Sequence, residues 1–154
     1  MIIIIKINKT GVVLKNIVNL LRISLGIIFL WYGMLKFFPE LSPAEDLAIN
    51  TINWMFNGLI PSEISIKLLA LWEVLVGIGF ILGVYTRYIT ILFLIHMVLT
   101  FLPLFIFPEL SFTNAPYAFT IVGQYIVKNI VFILVGFLIL KVEDEKKLLN
   151  KSSI

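Results

Sequence analysis

ISIKLLALWEVLVGIGFILGVYTRYITILFLIHMVLTFLPLFIF, residues 64–107, holds two apolar runs, about Ile64–Tyr85 and Tyr88–Phe107, joined through Thr86 and Arg87. Each lasts roughly 20 residues and carries few charges, so as a helix rising ~1.5 Å per residue it reaches the ~30 Å of a hydrocarbon core. The runs are rich in β-branched residues but do not alternate apolar with polar positions, as the strands of a membrane barrel must. In lipid a helix satisfies its backbone groups within itself, so length decides the assignment: two membrane helices and a tight turn. Two more runs of this kind flank the pair, about 17–38 before it and 119–140 after it.

Composition agrees. Hydrophobic residues make up 60% of the 154 and charged residues 14%, where soluble domains run near half and a quarter. The mean hydropathy is +1.07. The expected fold is all-α: an integral membrane four-helix up-down bundle, with residues 16–141 as the transmembrane domain between an N-terminal segment, 1–15, and a C-terminal tail, 142–154, that extends helix four and frays. Lys6, Lys9 and Lys15 ahead of the first run mimic a signal peptide. That run is too long for a signal core and no small-x-small site follows it, so it reads as a signal anchor.

Charge placement sets an orientation. Lys6, Lys9, Lys15 and Arg22 lie at the start of helix one, Arg87 at the turn between helices two and three, and Lys141, Lys146, Lys147 and Lys151 after helix four. Glu40, Glu45, Asp46, Glu63 and Glu109 occupy the other two connections. Four crossings put the basic regions on one side, which the positive-inside rule makes cytoplasmic. The chain thus reads as a multi-pass protein of the cell membrane with both termini in the cytoplasm. Its net charge of +3 is accounted for by lipid headgroups. No basic run is interleaved with stacking aromatics, which argues against nucleic acid. With no cysteine, the chain carries no thiol chemistry of its own.

Between helices one and two, Ser42-Pro43-Ala44-Glu45 fits a helix start with proline at the first position and acids in the first turn. Apolar residues then recur at helical spacing to Asn57-Gly58. This predicts a short amphipathic helix on the outer membrane surface, the alternative being a lid folded over the bundle. Pro103 should kink helix three near its outer end, and Pro108–Pro116 reads as an outer loop.

Polar residues at membrane depth need partners or a wet cavity. Lys36, Glu73, His96, Gln124, Lys128 and Asn129 form such a set. Counting from the outer ends of the runs puts Glu73, His96 and Lys128 roughly 14–17 Å deep. Glu73 and Lys128 are therefore expected to pair, either to lock helix two to helix four or to serve a site. His96 reads as a hydrogen-bonded helix contact or a proton relay with Glu73. As a single residue it falls short of the three or four ligands of a metal site, and no metal is expected. Arg22 should snorkel to headgroups. Lys36 either snorkels outward or faces the lumen. Gly79 and Gly83 have the spacing that lets helices approach closely, and Gly77, one turn after Glu73, suggests that Glu73 faces a neighbouring helix.

Three segments together resemble the DoxX family of small four-helix membrane proteins. Arg22-Ile-Ser-Leu-Gly26 followed by Gly33-Met-Leu-Lys36-Phe is similar to its first helix. Glu73-Val-Leu-Val-Gly77 and Gly83-Val-Tyr-Thr-Arg87 are similar to its second helix and turn. Gly123-Gln124-Tyr-Ile-Val-Lys128-Asn129 resembles its fourth. The resemblance covers about 21–140 and implies an up-down bundle. Family members include a small subunit of an archaeal thiosulfate:quinone oxidoreductase and proteins linked to thiol-oxidant and reactive-chlorine resistance. The resemblance therefore implies a non-catalytic accessory protein or subunit of a redox or oxidative-stress system, partnered by a membrane redox protein or by copies of itself. A quinone headgroup would sit among Lys128, Gln124 and His96, flanked by aromatics such as Trp31, Tyr32, Trp72 and Phe80. The alternatives are a small proton-coupled transporter using Glu73 and Lys128, and a scaffold for another membrane protein.

Overall fold

The computed structural model describes residues 2–42 and 44–152, and side-chain surroundings for 13–42 and 44–147. Pro43, expected to open the short helix, lies outside the described residues, as do the side chains of Lys6, Lys9 and Lys151. Among the described residues seven helices follow in order: α1 (Ile2–Leu35), α2 (Glu45–Met55), α3 (Ser62–Leu82), α4 (Thr86–Leu99), α5 (Pro103–Ile106), α6 (Pro108–Ser111) and α7 (Ile121–Ser152). Four stretches among the described residues are long and apolar enough to cross a membrane: Val13–Leu35, Ser62–Leu82, Thr86–Ile106 and Ile121–Lys147. The protein is a multi-pass integral membrane protein, and the apolar side chains on the outside of its bundle contact lipid. Leu20, Leu68, Leu82, Val98 and Leu134 are exposed in this way.

Local chemistry sets the helix ends. α3 starts after the extended Pro61, with Glu63 in its first turn near the positive end of the dipole. It stops at Gly83, which takes a left-handed conformation (φ 70°) and donates its N–H to the Gly79 carbonyl at 2.9 Å. A side chain at Gly83 would also meet the Arg22 guanidinium at 2.8 Å. Arg22 does not snorkel. Its Nη1 donates to the carbonyls of Phe80 and Ile81 at the end of α3, where unsatisfied oxygens and the negative end of the dipole favour a cation.

The kink expected at Pro103 is a break. Phe101 and Leu102 donate to Val98 and Leu99 in tightened three-residue turns. Pro103 has no N–H with which to continue the ladder, and the chain restarts as α5. The expected outer loop is more ordered than a loop: α6 leads into a small antiparallel ribbon of β1 (Phe112–Asn114) and β2 (Ala118–Phe119). The ring centroids of Phe112 and Phe119 are 4.8 Å apart.

α1 packs chiefly on α3, and α4 on α7. The expected Gly79–Gly83 contact is replaced by Gly26 and Gly77. A side-chain carbon on Gly77 would lie 2.5 Å from the Leu30 N, and one on Gly26 would lie 2.8 Å from the Gly77 carbonyl. The absence of both side chains brings the two backbones together. Gly79 instead faces the Ile89 side chain.

The bundle has two halves. In one, Leu25, Phe29, Val76, Phe80, Phe93, Met97 and Ile139 fill the interior, with Phe93 edge-on to Phe29 and Phe80 at 5.1 and 5.3 Å. Arg22, Arg87 and the far part of α7 gather at the end of this half, where Arg87 pairs with Asp144 and Lys146 with Glu143. The other half, toward α2 and α5, is hollow.

Candidate functional site

The hollow half holds a partly open cavity of about 800 Å³. Its walls are the C-terminal turns of α1, the first half of α3, the end of α4 and the first half of α7. α2 forms its roof. The amphipathic helix is present with Glu45 and Asp46 in its first turn, but it does not lie apart on a surface. It packs on α3 and α5, buries Leu47 and Thr51, and turns Ala48, Ile52 and Met55 toward the hollow. The lid alternative describes it.

Gly33 positions the polar cluster. A side-chain carbon there would lie 2.9 Å from the Glu73 Cβ, so the missing side chain lets α3 bring Glu73 against α1. Three residues on, Lys36 is in the turn that ends α1, on the same side. Its ammonium reaches inward and donates to Glu73 Oε2 at 2.6 Å. Both side chains are almost enclosed, at 10% and 11% exposure. The other carboxylate oxygen, Oε1, faces His96 Nε2 at 3.7 Å, beyond a hydrogen bond but within reach of a small rearrangement. The His96 ring stands edge-on to Phe29 at 6.0 Å.

This corrects the expected Glu73–Lys128 pair. Lys128 makes no ion pair within 4.0 Å among the described residues. Its ammonium lies 4.0 Å above the centroid of the Tyr125 ring, one turn earlier on α7. Depth alone does not choose the partner: the packing of the helices turns Glu73 toward α1, where Lys36 meets it, and leaves the Lys128 ammonium over Tyr125 of its own helix. Asn129 donates from Nδ2 to Thr100 Oγ1 at 2.9 Å, and Thr100 Oγ1 donates to the Met97 carbonyl at 2.6 Å.

Of the six expected site residues, the fold brings Lys36, Glu73, His96, Lys128 and Asn129 to one cavity. Gln124 is exposed on α7 and lines a separate hollow of about 380 Å³ beside Phe119 and Tyr125. Of the aromatics named for a ring site, only Tyr32 reaches the large cavity. Trp31 points outward, Trp72 packs against the core and Phe80 is inside it. Thr100 and Thr51 belong to the site without having stood out in the sequence, whereas the apolar face of α2 was legible from its spacing and belongs to the site as a lid. For Lys36 the signal was the Gly33–Lys36 spacing, which puts a small residue and a cation on one helix face.

The cavity presents an apolar wall with charge and hydrogen-bonding groups concentrated in one region. That suits a molecule with an apolar body and a polar head. A family model described as DoxX matches residues 17–107, a span that includes Lys36, Glu73 and His96 and leaves out α7 with Gln124, Lys128 and Asn129. No curated protein and no solved structure gives a significant match.

Proposed function

Since the chain belongs to the DoxX family, we propose that it is a non-catalytic accessory protein or subunit of a membrane redox or oxidative-stress system. In this reading it holds a lipophilic ring compound of the quinone class in its cavity. The observation that carries the proposal is the Lys36–Glu73–His96 cluster facing a mostly apolar space of about 800 Å³, inside the range of small-molecule sites. His96, Asn129 and Lys128 face that space and are the groups to hydrogen-bond a ring oxygen. Gln124 does not face it and is dropped from that role. Without cysteine the chain cannot exchange disulfides, so any thiol step falls to a partner.

Binding is testable directly. Decylubiquinone added to the purified protein should bind saturably by equilibrium dialysis. His96→Phe, which keeps an aromatic of similar volume, should weaken it about tenfold, or ~1.4 kcal/mol. Absence of saturable binding would remove the proposal.

The reading also includes the cell membrane as location and cytoplasmic termini, supported by the basic end of the bundle at Arg22, Arg87 and Lys146. Reporters fused after Lys147 and near Glu109 should mark opposite faces, the former cytoplasmic. The reverse assignment would invert the orientation, and a shared face would refute the four crossings.

A further inference from the structure

Lys36, Glu73 and Lys128 are the charged groups of the cavity lining, with His96 able to add a charge. Lys36 and Glu73 are matched at 2.6 Å, which leaves Lys128 as a surplus cation. It starts seven residues into α7, roughly 10 Å from the helix end at ~1.5 Å per residue. Lys128 is itself exposed, its ammonium 4.0 Å over the Tyr125 ring, and at that level of the bilayer an anion beside it offsets the cost of the charge.

Lys128 also stands at a boundary. It and Tyr125 line both the large cavity and the 380 Å³ hollow that holds Gln124. Tyr32 on α1 and Tyr125 and Val131 on α7 line the cavity and yet are 46%, 41% and 59% exposed. The cavity is therefore open sideways, between α1 and α7, at a level where lipid surrounds the bundle. α2 covers its outer end.

We propose that the cavity is loaded laterally from the bilayer with a single-chain carboxylate amphiphile, a fatty acid in chemical class, whose carboxylate pairs with Lys128. The chain lies along Ile28, Phe29, Leu69, Met97 and Phe132. One ammonium matches one negative charge, and a cavity of this volume takes one chain rather than a two-chain phospholipid. Gln124 in the outer hollow offers the head a hydrogen bond on the way in. The proposal rests on the cavity being a ligand site and does not depend on the quinone assignment.

The test uses the full chain in phosphatidylcholine nanodiscs, titrated with radiolabelled palmitate, with hexadecanol and hexadecyl phosphate as competitors. Palmitate should bind saturably at one per chain. Hexadecanol, with the same chain and no charge, should compete at least tenfold more weakly. Lys128→Met should weaken palmitate at least tenfold and leave hexadecanol unchanged, and Lys128→Arg should restore it. Equal competition by hexadecanol on the unaltered protein overturns the proposal without any variant. So does unchanged palmitate binding in Lys128→Met, the result for a lysine that only reaches headgroups, and so does a tenfold preference for hexadecyl phosphate. Leu69→Trp, which places an indole on the cavity wall along which the chain would lie, separates the two readings. If it abolishes palmitate and decylubiquinone binding while Lys128→Met changes neither, the cavity stands and the carboxylate pairing falls. If Leu69→Trp affects neither ligand, the cavity is not a ligand site and both fall.

Discussion

Glu73→Gln is expected to lower the stability of the purified protein by about 3 kcal/mol, because it leaves the Lys36 ammonium almost enclosed and without its carboxylate. Lys36→Met should do comparable damage from the other side by stranding Glu73. The double variant should be markedly more stable than the sum of the two losses implies, since no lone charge remains. The coupling between the positions should reach about 2 kcal/mol, within the range for residues in direct contact. The same cycle between Glu73 and Lys128 should be additive, as those side chains make no ion pair. Unfolding in detergent, followed by circular dichroism against denaturant, reads all six proteins. Additivity between Lys36 and Glu73, or strong coupling between Glu73 and Lys128, would restore the pairing that depth alone suggests. A ligand role adds a second reading: the double variant would be stable and would no longer bind decylubiquinone, whereas a purely structural pair would leave binding intact.

The other large effect is expected from one methyl group. Gly77→Ala places a carbon about 2.5 Å from the backbone N of Leu30 and 2.8 Å from the Gly26 carbonyl. Backbone in the middle of two packed helices cannot move aside as a side chain can, so α1 and α3 must separate. The loss should reach about 3 kcal/mol, the upper end of ordinary overpacking. Gly79→Ala, two residues away, is the control. Its new carbon meets the end of the Ile89 side chain, which can change rotamer, and the loss should stay below about 1 kcal/mol. Both variants gain the same helix propensity, so the difference isolates the interface. Similar losses at the two positions would show that the α1–α3 approach does not depend on Gly77. The effect would extend to the site, because the same approach brings Glu73 past Gly33 to Lys36.

Much of this molecule is legible from residue order. Apolar runs near 20 residues long, with few charges, require membrane helices, because the bilayer leaves the backbone no other hydrogen-bond partner. The four membrane helices, the short helix after Ala44, an interruption at Pro103 and the placing of Arg22, Arg87 and Lys146 at one end follow from length, proline chemistry and charge sign. The polar set was also legible as a set, since an ionisable residue at membrane depth must have a reason to be there.

What the order of residues does not contain is azimuth. The direction a membrane helix turns each side chain depends on which neighbour it packs against. In lipid that choice is made by small residues and close contacts rather than by a hydrophobic face. Gly26, Gly33 and Gly77 set the rotation of α1 against α3, and with it the partner of Glu73, which became Lys36 and not the equally deep Lys128. The azimuth of α7 likewise turns Gln124 away from the cavity, Arg22 reaches from α1 to the carbonyls of α3, and α2 folds inward as a roof. Sequence by itself determined that the chain crosses the membrane four times and carries charge within it. Only the tertiary structure decided which charges meet, because that depends on contacts between residues tens of positions apart, at distances where one side-chain carbon changes the answer.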